Sequence, residues 1–119
     1  MANFKSAQLI TGSVAKSGTS EVTLIAAMDV KNEERVSFQF YNDDGDSGGD
    51  VVKVYGRLGA TAGTLGAASE WTQIGDNITV SGGASMLKSI ATTGLYWVGA
   101  TVTPATGSDN ITYAMLVQA

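Results

Sequence analysis

Short segments in which apolar and polar residues alternate run through the chain, and this pattern constrains the fold more than any other feature. Residues 35–41 show it most clearly, because Val36, Phe38 and Phe40 fall on one face of an extended segment. No segment sustains the 3.6-residue period of an amphipathic helix. Fifteen glycines against one proline suit the turns between such segments. The sequence therefore predicts an all-β chain.

About eight strands are predicted, with turns at roughly the 8–12-residue spacing that is typical of sandwiches and barrels. Residues 85–90 fit either a short strand or one helical turn. We expect an antiparallel β-sandwich of jelly-roll type, with an immunoglobulin-like sandwich as the alternative. One domain would span residues 1–119, with 1–5 as an N-terminal arm. The predicted strands are 6–12, 21–29, 35–41, 51–58, 70–74, 77–80, 95–103 and 111–118.

Three of these segments carry more detailed expectations. Residues 21–29 are apolar on both faces, which is typical of a central strand. In residues 51–58, Val52, Val54 and Leu58 are expected to point inward, and Gly56 indicates a bulge or a close backbone approach. The sequence Gly75-Asp76 predicts a tight hairpin between residues 70–74 and 77–80.

The composition argues against catalysis. The 119 residues include no histidine and no cysteine, which removes the commonest general base and the thiol nucleophile. The acidic residues fall in turns or at strand ends, where no apolar pocket would raise a carboxyl pKa. We therefore expect a protein that is not an enzyme and needs no cofactor.

Charge and hydropathy narrow the range of partners. The net charge is −4 and the seven lysines and arginines are scattered, so no basic patch is predicted and nucleic acid is not an expected partner. No apolar run approaches the roughly 20 residues of a membrane helix. Residues 1–5 lead into no signal-peptide core, so we expect synthesis in the cytoplasm without a signal peptide. Only 15% of the residues are charged, which is typical of a surface covered by a partner and also of small β-proteins rich in serine, threonine and glycine that stand alone.

An acidic, glycine-rich loop between two predicted strands is the candidate metal site. Asp43, Asp44, Asp46 and Asp50 could offer several oxygen ligands to Ca²⁺. The spacing departs from the helix-loop-helix calcium motif, because Lys53 stands where that motif needs a bidentate glutamate. Aspartate and glycine are equally typical of a solvated turn, so both interpretations stay open.

Two tryptophans are candidate contact residues. Trp71 and Trp97 could form an aromatic platform for a sugar or a protein, or they could simply pack within the fold. Tyr96 and Trp97 are adjacent in a predicted strand, so we expect their rings on opposite faces.

The last two-thirds of the chain resembles small β-sandwich virion proteins of tailed bacteriophages, of the capsid decoration (cement) type. The resemblance lies in the order of strands and in three segments: residues 70–75 read EWTQIG, 93–98 read TGLYWV and 111–117 read ITYAMLV. It implies a protein that oligomerises and caps other coat subunits without catalysis. We therefore expect a virion structural protein, with a carbohydrate- or receptor-binding module of a phage tail or adhesin as the alternative.

Overall fold

The computed structural model describes residues 7–15, 18–43, 49–105 and 110–118. The described residues form nine β-strands, and no helix among them is long and apolar enough to span a lipid bilayer. The predicted arm, residues 1–5, lies outside the described residues. The strands are β1 (Ala7–Ala15), β2 (Val22–Asp29), β3 (Arg35–Asn42), β4 (Gly49–Arg57), β5 (Thr72–Gln73), β6 (Ile78–Ser81), β7 (Ser85–Ala91), β8 (Trp97–Thr103) and β9 (Asn110–Gln118).

The strands form two antiparallel sheets with the connectivity of a jelly roll. Sheet A has the order β1-β9-β3-β7, and sheet B has the order β2-β8-β4-β5, with β6 also paired to β4. The pairs β1·β9, β2·β8, β3·β7 and β4·β5/β6 nest inside one another, as if one long hairpin had been folded into two sheets. The predicted antiparallel sandwich is confirmed. The immunoglobulin-like alternative is wrong, because that fold groups its strands differently.

The core lies between the two sheets and follows from the alternation in the sequence. Val36, Phe38 and Phe40 of β3 are at most 1% exposed, and the two phenylalanine rings stack with centroids 5.6 Å apart. Alternate residues of β8 and β9 also face the core, because antiparallel strands direct alternate side chains to one face. Those that are buried are Val98, Ala100, Val102, Ile111, Met115 and Val117, and Tyr113 is partly buried.

The predicted hairpin between residues 70–74 and 77–80 is wrong. The strands β5 and β6 do not pair with each other; both run antiparallel to β4, with Gln73 opposite Tyr55 and Ile78 opposite Val52. The backbone N–H of Ile74 donates to the Val54 carbonyl at 2.7 Å, so the chain keeps its direction. Residues 74–77, with Gly75 at a φ of 75°, bulge out of one interrupted edge strand.

Four smaller expectations are corrected or settled. Strand β2 is an edge strand, although both faces are apolar, because sheet B ends there. Leu58 is 72% exposed, since β4 ends at Arg57 and the alternation stops before it. Residues 85–91 form the strand β7 paired to β3. Gly56 does mark a close approach, because a Cβ there would come within 2.8 Å of Ile74 Cδ1.

Candidate functional site

The chain's own loop, residues 58–71, covers part of the outer side of sheet B. Leu65 lies so close to β8 that a Cβ on Gly99 would come within 2.7 Å of its Cδ1 atom. Beneath this loop, Tyr55 and Thr101 are only 8% and 4% exposed, although both point away from the core. Glu21 accepts hydrogen bonds from the Thr101 hydroxyl at 2.6 Å and from the Tyr55 hydroxyl at 3.4 Å. The loop therefore covers the outer side of sheet B around Tyr55, Gly99 and Thr101, whereas Thr23 of β2 and Thr79 of β6 stay exposed.

Arg57, the last residue of β4, holds the covering loop in place. Its Nε donates to the carbonyl of Thr61 at 2.8 Å, and a terminal nitrogen donates to the carbonyl of Glu70 at 3.0 Å. The Glu70 carboxylate lies 3.8 Å from the guanidinium and accepts the backbone N–H of Thr64 at 2.7 Å. A fixed fork of donors suits this task, because it reaches two carbonyls and one carboxylate together.

The two predicted contact tryptophans both lie close to this loop. Trp71 closes it and is 3% exposed, so its ring packs inside the chain. Trp97 is half-buried and its indole N–H donates to the carbonyl of Gly59 at 3.1 Å. Tyr96 precedes β8 in a bend, and its ring lies 5.2 Å from that of Trp97, so the expectation of opposite faces is wrong. A role for either tryptophan in binding a partner stays a prediction.

The outer side of sheet A carries no covering segment among the described residues, and we call it the open face. Register and burial define it, because the neighbouring positions in each strand point into the core. The open face consists of Ala7, Leu9, Thr11, Ser13 and Ala15 of β1; Asn110, Thr112, Ala114, Leu116 and Gln118 of β9; Arg35, Ser37, Gln39 and Tyr41 of β3; and Ser85, Leu87, Ser89 and Ala91 of β7.

The open face carries exposed leucines on its two edge strands and is almost free of charge. Leu9 and Leu87 are 66% and 76% exposed, and they line a shallow depression of about 170 Å³ together with Leu116. Arg35 is the single charged side chain on this face, and it lies in the last row of the sheet. It donates a hydrogen bond to the Ser89 hydroxyl at 3.2 Å. Exposed apolar side chains that share one uncovered face mark a candidate contact surface.

The candidate calcium loop is described only at its two ends. Asp43 is exposed, whereas Asp50 is buried and its Oδ1 atom accepts the backbone N–H of Ala105 at 2.9 Å. Asp44 and Asp46 lie outside the described residues. The described residues bring together no group of three or more acidic side chains that could hold a metal ion. Calcium binding stays a prediction.

A second depression, of about 410 Å³, opens at the end of the sandwich beside Gly56, Leu58 and Leu95. Its two charged groups are Arg57 and Glu70, which already bind the covering loop and each other. General acid–base chemistry on a sugar needs two carboxyl groups across the cleft, and this lining supplies one. The lining of this depression therefore does not contain the two carboxyl groups that glycoside hydrolysis requires.

Sequence reasoning missed the open face because exposure of a strand face depends on the packing of distant segments. The sequence signal for this face lies in residues 85–90, whose pattern fits either a short strand or one helical turn. Once these residues are a strand, Leu87 points outward beside Ser85 and Ser89. Leu87 then shares one uncovered face with Leu9, and it is this shared face that makes the surface a candidate contact.

Comparison with known proteins finds the fold but no sequence family. No family model matches the chain, and no curated protein is significantly similar in sequence. The PBSX exported protein XepA is similar over 96% of this chain, which spans 37% of XepA, with a TM-score of 0.67 and 13% identity. The SPBc2 prophage-derived protein YomS is similar over 100% of both chains, with a TM-score of 0.53 and 11% identity.

A protein of the Bacillus endospore appendages, described as disulfide-linked pili, is similar over 98% of this chain and 89% of its own. The TM-score is 0.56 and the identity is 11%. This chain contains no cysteine, so it cannot form such links. At these identities the likenesses show a shared fold and nothing more specific.

Proposed function

We propose that this chain is a non-enzymatic structural protein of a bacteriophage virion, of the decoration type, that binds coat subunits through the open face of sheet A. The observation that carries the proposal is the contrast between the two outer faces. Loop 58–71 covers part of one of them, whereas the other has no such cover among the described residues and presents Leu9 at 66% and Leu87 at 76% exposure with one charged residue at its end. Apolar surface left in water costs free energy that a partner would recover.

The size of the open face supports a stable contact. Four strands about 4.8 Å apart and nine residues of about 3.3 Å rise give a surface of roughly 19 by 30 Å, or about 600 Å² before side-chain relief is added. Stable complexes bury about 800 Å² on each partner. The open face and the side chains around its rim together would therefore approach the area that a stable complex buries.

The low charge of the open face supports a coat subunit as the partner. The chain as a whole carries a net charge of −4, but none of the positions that define this face holds an acidic residue. Docking there would therefore desolvate few charged groups, which keeps the cost of burial low. Two proteins that share the fold, XepA of PBSX and the prophage-derived YomS, carry phage names, in agreement with a virion location.

The experiment compares two leucines of equal exposure on different parts of the surface. Heads of the phage that encodes this chain are assembled without its gene, mixed with the purified protein and separated on a density gradient. The unaltered protein is expected to sediment with the heads. Leu87→Lys would place a charge within the proposed contact and is expected to weaken binding tenfold or more, equivalent to about 1.4 kcal/mol.

Leu58→Lys is the matched control, because Leu58 is 72% exposed but lies beyond the end of β4, away from the open face. It is expected to bind as the unaltered protein does. Heads that take up none of the unaltered protein would overturn the proposal. Equal losses in the two variants would move the contact away from the open face.

The alternative, a carbohydrate-binding module, needs an exposed aromatic platform. Trp71 is 3% exposed, and the indole N–H of Trp97 is already bonded to Gly59. Tyr41, at 40% exposure, is the one aromatic side chain on the open face. No described feature favours sugar over protein as the ligand.

A further inference from the structure

A β-sandwich has four sheet edges, and unprotected edges recruit further strands unless some feature blocks them. Both edges of sheet B are blocked by irregular backbone. The pairing of β2 with β8 shifts register twice, between Thr23 and Ile25 and again between Ile25 and Met28. The opposite edge, formed by β5 and β6, is interrupted by the bulge of residues 74–77. Bulges of this kind prevent a straight strand from adding to the sheet.

The edge of sheet A at β7 is blocked by a charge. Lys88 pairs with Phe38 in the register, so its side chain points to the inner side of the sheet and not onto the open face. It reaches the bulge of the opposite sheet, where a Cβ on Gly75 would come within 2.6 Å of its amino nitrogen. An inward-pointing lysine on an edge strand is a known protection, because a strand added there would bury the charge.

Strand β1, the other edge of sheet A, has none of these protections along its described length. Its nine residues pair with β9 without a register shift, from Ala7 opposite Gln118 to Ala15 opposite Asn110. The strand contains no charged residue and no proline. Alternate residues therefore direct their N–H and C=O groups away from β9, towards the free edge.

We propose that β1 pairs antiparallel with β1 of a second copy of this chain, joining two four-stranded sheets into one of eight strands. The proposal rests on the assembly role given above but uses the edge of the sheet and not the open face. A second copy fits because two identical strands related by a twofold axis satisfy each other's backbone groups along their whole length.

The face pattern and the charges set the register. Outward side chains must meet outward side chains, and pairing all nine residues then places Thr11 on the twofold axis, with Leu9 opposite Ser13. Glu33 borders the Ala7 end of the strand. Antiparallel pairing keeps the two Glu33 carboxylates at opposite ends, about 27 Å of strand apart, whereas parallel pairing would set them side by side.

Single cysteines test the register cleanly, because the chain has none of its own. Thr11→Cys is expected to oxidise to a disulfide-linked dimer. Leu9→Cys and Ser13→Cys should each oxidise poorly alone but link when mixed. Ser89→Cys, which is also an exposed outward position but lies on the protected strand β7, is the matched control and should form no disulfide-linked dimer. Cross-linking of Ser89→Cys as readily as Thr11→Cys would overturn the proposal.

Light scattering after size exclusion provides the second test, without heads present. The unaltered protein is expected to be a dimer, and Thr11→Lys, which sets two lysines together at the axis, a folded monomer. Ser89→Lys should remain a dimer. A monomeric unaltered protein that still binds heads would overturn this inference alone. A dimer that binds no heads would overturn the proposed function alone, and a dimer that survives Thr11→Lys would exclude β1 as the contact.

Discussion

Lys31, in the turn between β2 and β3, shows how a single residue can order a connection at the surface. Its amino group lies 2.6 Å from Asp29 Oδ2 and 5.0 Å from the centre of the Tyr96 ring. The hydrogen bond from this amino group, and then that from the Lys31 backbone N–H at 3.0 Å, lower the pKa of Asp29 below its ordinary value of 3.8. The same pairing raises the pKa of Lys31.

Lys31→Met is expected to raise the pKa of Asp29 towards its ordinary value, since the larger of the two hydrogen bonds is lost and the backbone bond remains. A carboxyl group whose pKa is lower in the folded state stabilises the fold above its unfolded pKa, and this contribution disappears as the pH falls through the folded value. Carbon-detected NMR titration of the Asp29 carboxyl carbon measures the shift. Lys53→Met, two strands away, should leave it unchanged; an unaltered Asp29 pKa in Lys31→Met would contradict the assignment.

Arg57 fixes loop 58–71 to the outer side of sheet B through its hydrogen bonds. We expect Arg57→Met to lower the free energy of unfolding by about 1–3 kcal/mol, because charged hydrogen bonds to two carbonyls are lost. Hydrogen exchange should become faster across the loop and stay unchanged in β3. Urea denaturation and exchange mass spectrometry measure the two effects.

Arg35→Met is the matched control for this loss. Arg35 makes a hydrogen bond to the exposed Ser89 hydroxyl, and exposed positions of this kind usually change stability by less than about 0.5 kcal/mol. Similar losses in the two variants would show that the guanidinium of Arg57 does not hold the loop.

The elements also show how far the sequence could predict this molecule. Strands β3, β8 and β9 follow from alternation, since a residue's face in a strand depends on its immediate neighbours. The continuation of the chain through Gly75 could not be predicted, because a glycine turn fits a hairpin and a bulge equally well. The covering of sheet B depends on Leu65 meeting Gly99, two residues far apart in sequence whose contact no local pattern contains.

The candidate site was less predictable than the fold. The sequence favoured Trp71 and Trp97 as contact residues because of their residue type, yet Trp71 is packed under the chain's own loop. The leucines of the open face carry no such distinction. Whether these leucines are exposed depends on which outer face a loop covers. That arrangement is set by tertiary packing and not by the local sequence.

For the whole molecule, the nested strand pairing predicts the order of folding. The innermost pairs join β4 to β5 and β6 across one loop, whereas the outermost pair, β1·β9, joins segments from opposite ends of the described chain. Closing the longer loops costs more chain entropy, so we expect the inner pairs to form first.

Two valine truncations measure this order. Val80→Ala, in β6, is expected to slow refolding, whereas Val14→Ala, in β1, should mainly speed unfolding. Stopped-flow fluorescence of the two tryptophans follows both reactions, with overall refolding expected in roughly milliseconds to seconds. A larger effect of Val14→Ala on the refolding rate would show that β1 pairs early.

Lys88 has a consequence that reaches beyond its own strand. Twofold pairing through β1 uses up the open edge of each copy, so such an assembly closes at two chains. If β7 were unprotected, every dimer would keep two free strand edges, and further copies could add to them without limit and form filaments. In the proposed dimer, the inward-pointing amino group of Lys88 therefore prevents growth by strand addition at β7.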